Sequence, residues 1–224
     1  MLFDLINGKA SFATTIAYII ASLFVIFVTL PFHEYAHAFA ADKLGDRTAR
    51  YQGRLTLNPL SHIDYLGALA IILFGFGWAR PVPVNANNFK SPKRDMAITA
   101  AAGPVMNLTL AFIGSFLHYM FQYIALGKES IFCIYVAILF DAFCVINIGL
   151  AVFNLLPIPP LDGWKVLGAA LPARTYWKIM SYERYVSFAV ILLICTGALD
   201  LPLGFIRGFF YTIVNFLPKI IFGF

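Results

Sequence analysis

A nearly unbroken apolar run over residues 15–32 constrains this chain more than any other feature, and further apolar runs follow it. A helix needs about 20 consecutive apolar residues to cross the hydrocarbon core of a bilayer. Charged residues make up only 12% of the 224 residues, against roughly 25% in a typical soluble domain. The chain is therefore predicted to be a multi-pass membrane protein.

The basic residues fall between the apolar runs, so the net charge of +5 indicates membrane topology rather than nucleic acid binding. Residues 42–95 hold eight Lys and Arg against four Asp. Loops rich in Lys and Arg favour the cytosolic side. We therefore expect a protein of the cell membrane that contacts the lipid bilayer, has no nucleic acid partner, and has the end of its first helix on the cytosolic side.

Apolar runs with a helical pattern cover residues 12–44, 95–123, 131–156, 185–196 and 205–221. The run 65–76 is too short to cross a bilayer, so it predicts a re-entrant or interfacial helix. Residues 50–57 resemble short strand pieces around a glycine turn. Residues 82–85 follow Pro81 and include Pro83, and these two prolines fix an extended shape that suggests an edge strand. The expected fold is all-α, with one domain over residues 1–224. It is a bundle of about five to six transmembrane helices with a small membrane-edge β element and a re-entrant segment.

An H-E-x-x-H motif begins at His33, where the first apolar run ends. Residues four apart share one face of a helix, so His33 and His37 are placed to bind one zinc ion. Glu34 lies one residue further round and is placed to hold a water rather than the metal. A kink at Pro31 would help to angle this turn. The alternative is a pair of histidines near the lipid headgroups, but ionisable groups in membrane segments favour a functional role.

A catalytic zinc usually takes three protein ligands and keeps one position open. Asp162 is the best candidate for the third ligand, because it follows a proline-rich break at the predicted cytosolic face. The alternative for Asp162 is a turn residue in an Asp-Gly pair. His62, Asp64 and His118 are weaker candidates, since the first two lie in the basic loop and the third lies towards the opposite face.

Two motifs together resemble the site-2 protease family of intramembrane zinc metalloproteases, peptidase family M50. They are the H-E-x-x-H motif and the later N-x-x-P-x-x-x-x-D-G run, which begins at Asn154 and contains Asp162. Each lies at the end of a predicted membrane helix. The Gly-Pro pair at Gly103 is similar to a third motif of the family. The resemblance covers about residues 12–168 and is closest to the short form without PDZ or CBS domains.

The resemblance implies that His33, His37 and Asp162 bind one zinc ion per chain. Glu34 would act as general base towards the attacking water and then as proton donor to the leaving amine. The ligand types indicate zinc, although another divalent ion also fits two histidines and one carboxylate.

The resemblance further implies that Asn154 polarises the scissile carbonyl or steadies the substrate backbone, and that Asn107 lines the substrate site. The expected reaction is hydrolysis of peptide bonds within or near transmembrane segments of membrane protein substrates, that is, regulated intramembrane proteolysis. A substrate helix must unwind before attack, because its carbonyls are engaged in its own hydrogen bonds. We expect residues 50–57 and 82–85 to pair with the unwound substrate by strand addition.

Three alternatives to a protease stay open on the sequence alone. A membrane metal transporter also uses His and acidic groups, but it needs polar residues along a path across the membrane. A catalytically silent pseudoprotease would bind membrane helices without cutting them. A purely structural bundle would contain a complete ligand set only by coincidence.

Overall fold

The computed structural model describes residues 19, 20, 22–74 and 77–224. The helices in this part of the chain are α1 (Ser22–Leu44), α2 (Thr48–Tyr51), α3 (Tyr65–Phe74), α4 (Pro92–Lys128), α5 (Ile131–Asn154), α6 (Asp162–Gly168), α7 (Ala173–Met180), α8 (Glu183–Cys195) and α9 (Asp200–Phe222).

Four of the described helices are long and apolar enough to cross a membrane, namely α1, α4, α5 and most of α9. Helix α8 has only 13 residues and is too short for a span of about 20 residues. The prediction of a helical membrane protein is confirmed, whereas the prediction of five to six spans is not. The predicted start of the first helix, before Ser22, lies largely outside the described residues.

Helix α4 is the centre of the bundle and packs against α1, α5, α6 and α9. One face of it carries small or polar buried residues at every fourth position: Thr99, Gly103, Asn107, Ala111 and Ser115. Small residues let neighbouring helices approach closely in a membrane, where interhelical hydrogen bonds and packing replace the hydrophobic effect. This face therefore allows α1 and α5 to pack closely against α4.

Helix α1 contains a π-helical turn, Val25–Thr29, which is separated by three residues from the H-E-x-x-H motif. Pro31 lies in the first turn of the α-helical part that follows, where a missing N–H is tolerated. The sequence predicts a kink at Pro31, and the structure has a wider, π-helical turn just before this proline. The helix ends at Gly45, whose φ of 114° requires a residue without a Cβ.

The predicted re-entrant segment is a ten-residue helix, α3, followed by a chain that returns to its first turn. A Cβ at Gly67 would lie 2.0 Å from the Trp78 carbonyl oxygen, and one at Gly77 would lie 2.1 Å from the Gly67 carbonyl oxygen. Only glycine permits this approach of two backbones. Gly77 and Trp78 therefore lie directly against the first turn of α3, and the ten residues of α3 are too few to cross a bilayer.

The two β-like segments do not form strands in the described part of the chain. The first enters the helical turn α2, and the Arg54 N–H then donates to the Ala49 carbonyl oxygen at 2.8 Å. Residues 82–85 run without helix, but the Val82 N–H donates to the Glu34 carboxylate at 2.9 Å. The backbone N–H groups of Arg54 and Val82 thus have partners other than a neighbouring strand. The predicted β element is not confirmed.

Candidate metal centre

Three buried side chains meet where α1, α4 and α6 come together. The His33 and His37 Nε2 atoms are 3.0 Å apart. Asp162 Oδ2 lies 3.3 Å from Nε2 of His33 and 3.1 Å from Nε2 of His37. The three ligand atoms form a compact triangle that could hold a metal ion.

The size of this triangle fits a tetrahedral zinc site. Ligands 2.0–2.1 Å from zinc are separated from one another by about 3.3–3.4 Å along the edges of a tetrahedron, close to the three separations found here. The Thr99 carbonyl oxygen lies 2.8 Å from His37 Nδ1, and a carbonyl can only accept. In neutral His37 the proton is therefore on Nδ1, and Nε2 directs a lone pair at the Asp162 carboxylate. Two acceptors in this arrangement repel each other unless a proton or a metal ion lies between them.

Asp162 reaches the histidines because α6 begins directly against the end of α5. A Cβ at Gly163 would lie 2.2 Å from the Leu155 carbonyl oxygen, so the residue after Asp162 must be glycine. Burial alone would raise the pKa of the Asp162 carboxyl, but in the metal-free site protonated imidazoles of His33 and His37 donate to it, outweigh burial and hold its pKa well below the usual range. The Asp-Gly pair is thus both a close-packed helix start and the source of the third ligand.

Glu34 is buried beside the triangle but is not one of its three ligand groups. Its Oε2 accepts the Val82 N–H at 2.9 Å. The structure thus keeps Glu34 outside the group of three ligands, and its role as general base stays a prediction.

A buried arginine anchors the chain that approaches Glu34. Arg54 Nη2 donates to the Arg80 carbonyl oxygen at 2.6 Å, and the Arg80 N–H donates to the His62 carbonyl oxygen at 2.8 Å. Burial and the charge of Arg80 lower the pKa of the Arg54 guanidinium, while the nearby Glu34 carboxylate opposes this shift. Arg54 therefore supports the backbone that contacts Glu34 and also places a positive charge close to that carboxylate.

The buried carboxylate of Asp46, just beyond α1, anchors the same chain further along. It accepts hydrogen bonds from the Asn85 N–H at 2.7 Å, from Asn88 Nδ2 at 2.7 Å, and from the N–H and hydroxyl of Thr48. Burial alone would raise the pKa of Asp46, but these donors lower it below its usual value. The end of α1 and residues 82–88 are thereby joined.

Gly103 is packed directly against the two histidines. A Cβ at this position would lie 2.4 Å from His37 Nε2 and 2.5 Å from His33 Cε1. The glycine of the Gly-Pro pair therefore provides the space that both imidazoles occupy.

The two asparagines have different surroundings. Asn107 is 1% exposed and lies one turn from Gly103 on the same face of α4. Its Oδ1 has no hydrogen-bond partner among the described residues. Asn154 is half-buried at the end of α5, and its Nδ2 donates to the Leu150 carbonyl oxygen at 3.0 Å. Asn107 thus lies one helical turn from the glycine that packs against the histidines, whereas the hydrogen bond of Asn154 goes to its own helix.

The weaker metal candidates have structural roles. His62 Nε2 donates to the Thr56 carbonyl oxygen at 2.8 Å, and Asp64 Oδ1 accepts the Gly67 N–H at 2.8 Å. His118 Nδ1 lies 2.9 Å from the Ala137 carbonyl oxygen. None of the three belongs to the His-His-Asp group of the described residues.

Sequence reasoning missed Thr99 and Arg54 and the contact between Val82 and Glu34. Thr99 acts through its backbone carbonyl, which leaves no signal in the residue type. Arg54 is one of the eight basic residues of 42–95 that indicate topology, and no local pattern distinguishes it from its exposed neighbours.

Fold and site together define a class of protein: a helical membrane protein with a buried His-His-Asp group suited to a metal ion. The profile of peptidase family M50 matches residues 21–196. This match covers most of the chain, and the chain belongs to that family.

Similar proteins with known names come from bacteria and archaea. YwhC of Bacillus subtilis, named as a candidate zinc metalloprotease, is 41% identical over 187 residues, which are 84% of this chain and 82% of that protein. Rip2 of Mycolicibacterium smegmatis, a candidate zinc metalloprotease by name, is 32% identical over 178 residues, or 77% of this chain and 66% of Rip2. MJ0611 of Methanocaldococcus jannaschii, named in the same way, is 32% identical over 152 residues, or 66% of this chain and 69% of MJ0611. No solved structure matches the chain significantly.

Proposed function

We propose that this protein is an intramembrane zinc metalloprotease that hydrolyses peptide bonds within or near transmembrane segments of membrane proteins. One observation carries the proposal: His33, His37 and Asp162 converge at separations of 3.0–3.3 Å, with the Glu34 carboxylate buried beside them. Membership of a peptidase family and the metalloprotease names of its relatives support the same activity.

His33, His37 and Asp162 would hold the zinc. When bound, zinc supplies Lewis-acid polarisation of the scissile carbonyl and activates water for attack near neutral pH. Glu34 accepts a proton from the attacking water as the new C–O bond forms. It then passes this proton to the leaving nitrogen as the C–N bond breaks. The Glu34 carboxylate is thereby regenerated in its ionised form.

The asparagines are assigned to the substrate. Asn107 has a buried amide oxygen without a partner among the described residues, and such a group gains by binding a backbone N–H. For Asn154 we propose polarisation of the scissile carbonyl by its amide, which requires the amide to leave the Leu150 carbonyl oxygen when substrate enters. An amide donor at a developing oxyanion stabilises the transition state.

Residues 82–85 are the proposed contact for the unwound substrate. Their backbone runs beside Glu34 and is held at Val82 and Asn85 by carboxylates. An extended substrate would add to this segment through the main-chain groups that the carboxylates leave unoccupied, such as the Val84 N–H, which has no backbone partner among the described residues. We further propose a single catalytic domain over residues 1–224, in the cell membrane as a multi-pass protein, with the metal centre towards the cytosolic side.

The proposal is tested with full-length protein reconstituted in liposomes with a single-span membrane protein as substrate. Bound zinc and cleavage are measured for wild type, Glu34→Gln and Glu129→Gln. Glu129 is exposed at the far end of α4 and provides the matched control. We expect one zinc per chain in all three proteins and a loss of cleavage of at least ~100-fold in Glu34→Gln alone, since general acid–base catalysis contributes about 10²–10⁴-fold.

Cleavage by Glu34→Gln at the wild-type rate would refute the assignment of the base. Folded wild-type protein without stoichiometric metal would refute the metal centre. Mass spectrometry of the products locates the cut, and cleavage confined to soluble loops would refute the intramembrane assignment. Metal flux into the liposomes without proteolysis would identify a transporter instead.

A further inference from the structure

A cavity of about 210 Å³ lies between the start of α4 and the connection from α6 to α7. Its walls are mainly apolar and include Pro92, Met96, Ala169, Leu171 and Tyr176. Pockets for drug-sized ligands are larger, about 300–1,000 Å³. The volume therefore suits one end of a longer molecule whose remainder lies outside.

Two lysines line this apolar cavity. Lys93 Nζ donates to the Leu171 carbonyl oxygen at 3.0 Å, which joins the start of α4 to the chain after α6. Lys165 is 44% exposed and lies 3.4 Å from Asp162 Oδ1. No acidic side chain is among the described residues that line the cavity. An apolar cavity bordered by two cations is complementary to an amphiphile with a negative charge.

The neighbouring helix α7 has the character of a helix at a membrane surface. Arg174 and Lys178 are exposed on one face, while Met180 on the other face contacts the Trp164 indole N–H through its sulfur at 3.0 Å. Short amphipathic helices with basic polar faces lie in the interfacial region of a bilayer. Tyr182 and Tyr185 follow and are 54% and 73% exposed, as is typical of aromatic residues at the headgroup level.

We propose that the cavity binds the headgroup of an acidic phospholipid. Lys93 and Lys165 would contact its phosphate, and the apolar walls would receive the glycerol and the first carbons of an acyl chain. Basic pockets among membrane helices bind acidic headgroups through the same charges. The inference rests on the proposed membrane topology but not on proteolysis. Because Lys165 also contacts Asp162, the lipid would occupy a position next to the helix that carries the third metal ligand.

Native mass spectrometry of the full chain in detergent tests the proposal, with phosphatidylglycerol as the acidic probe and phosphatidylcholine as the neutral probe. Lys93→Gln and Lys165→Gln remove the cations, and Ala169→Leu fills the cavity. The matched controls are Lys90→Gln and Ala170→Leu, whose exposed residues do not line the cavity. Thermal unfolding confirms that each variant is folded.

We expect wild type to retain phosphatidylglycerol in preference to phosphatidylcholine. Each lysine variant should bind phosphatidylglycerol about fivefold more weakly, corresponding to about 1 kcal/mol per basic residue near a membrane surface. Ala169→Leu should lose the preference, and both controls should keep it.

Three results would overturn the proposal. The first is a wild-type protein without any preference for the acidic lipid. The second is a preference that survives in the folded lysine variants, which would place the lipid elsewhere, for example on α7. The third is full displacement of phosphatidylglycerol by millimolar inorganic phosphate, which would identify a site for free phosphate. Zinc content and cleavage by wild type are recorded in parallel, so a failure of the lipid site is distinguished from a failure of the proposed function.

Discussion

Replacing Gly103 with alanine should eject zinc without unfolding the protein. Gly103 lies within α4, where alanine is more favourable than glycine by about 1 kcal/mol. The added Cβ, however, would lie 2.4 Å from His37 Nε2 and 2.5 Å from His33 Cε1. Carbon atoms in favourable contact are about 3.5–4.0 Å apart. The imidazoles must therefore move by roughly 1 Å, while metal–ligand distances tolerate about 0.2 Å.

A displacement of this size affects two of the three proposed ligands at once. Changes to groups that orient metal ligands typically cost 10–100-fold in affinity, so we expect zinc affinity to fall by at least ~100-fold. Zinc content after purification, competition with a chromophoric chelator and thermal unfolding without metal measure the effect. Cleavage of a single-span substrate should be lost together with the zinc.

The matched control is Gly127→Ala, which makes the same change on the same helix. Beyond its own stretch of helix, no atom of the described residues lies within 4 Å of a Cβ at Gly127, so zinc binding and cleavage should stay at wild-type levels. If Gly103→Ala retained wild-type zinc affinity and cleavage, the packing of the histidines against α4 described above would be wrong.

Three further predictions concern contacts that hold the helices and loops together. Asp46→Asn should lower the free energy of unfolding by about 1–3 kcal/mol, because donors to a buried carboxylate lose a charged acceptor. The pKa of Asp46 is lowered in the folded state, so its contribution is complete above about pH 4 and is lost as the pH falls through the folded-state pKa. Unfolding of wild type against pH should show this loss, and the variant should show less of it. Tyr211→Phe removes the 3.0 Å hydrogen bond to Asp141 and should destabilise α9 by about 1 kcal/mol in detergent unfolding. Gly67→Ala places a Cβ 2.0 Å from the Trp78 carbonyl oxygen and should reduce both stability and cleavage, measured by thermal unfolding and the liposome assay.

Controls with matched chemistry separate these effects from general damage. Gly204→Ala introduces a Cβ into open space and should leave stability and cleavage unchanged. Tyr123→Phe alters an exposed tyrosine and should unfold like wild type. Equal behaviour of Asp46→Asn and wild type at every pH would contradict the role of Asp46 as a buried ionised acceptor.

The membrane character and the His-His pair follow from the sequence because they depend on local patterns. An apolar run of sufficient length predicts a span, and an i, i+4 spacing places two imidazoles on one helix face. Asp162 was predicted from its place after a proline-rich break and from the family resemblance. The structure brings Asp162 to the pair, which the helix pattern alone did not require.

The β element shows where local pattern failed. Strand-like residues around a glycine predicted strands at 50–57, and two prolines that fix an extended shape predicted an edge strand at 82–85, but strand formation depends on the tertiary context of the segment. Here the Val82 and Asn85 N–H groups are taken by Glu34 and Asp46. A pairing between a backbone amide and a distant carboxylate has no signature in either segment.

The sequence by itself determined which residues are able to bind a metal, because ligand chemistry belongs to the side-chain type and spacing within one helix. Only the tertiary structure decided what surrounds them: the Thr99 carbonyl that orients His37, and the absence of a Cβ at Gly103 that makes room for both rings. These contacts join α1 to α4, residues more than 60 positions apart. They depend on how two helices pack, which no local pattern specifies.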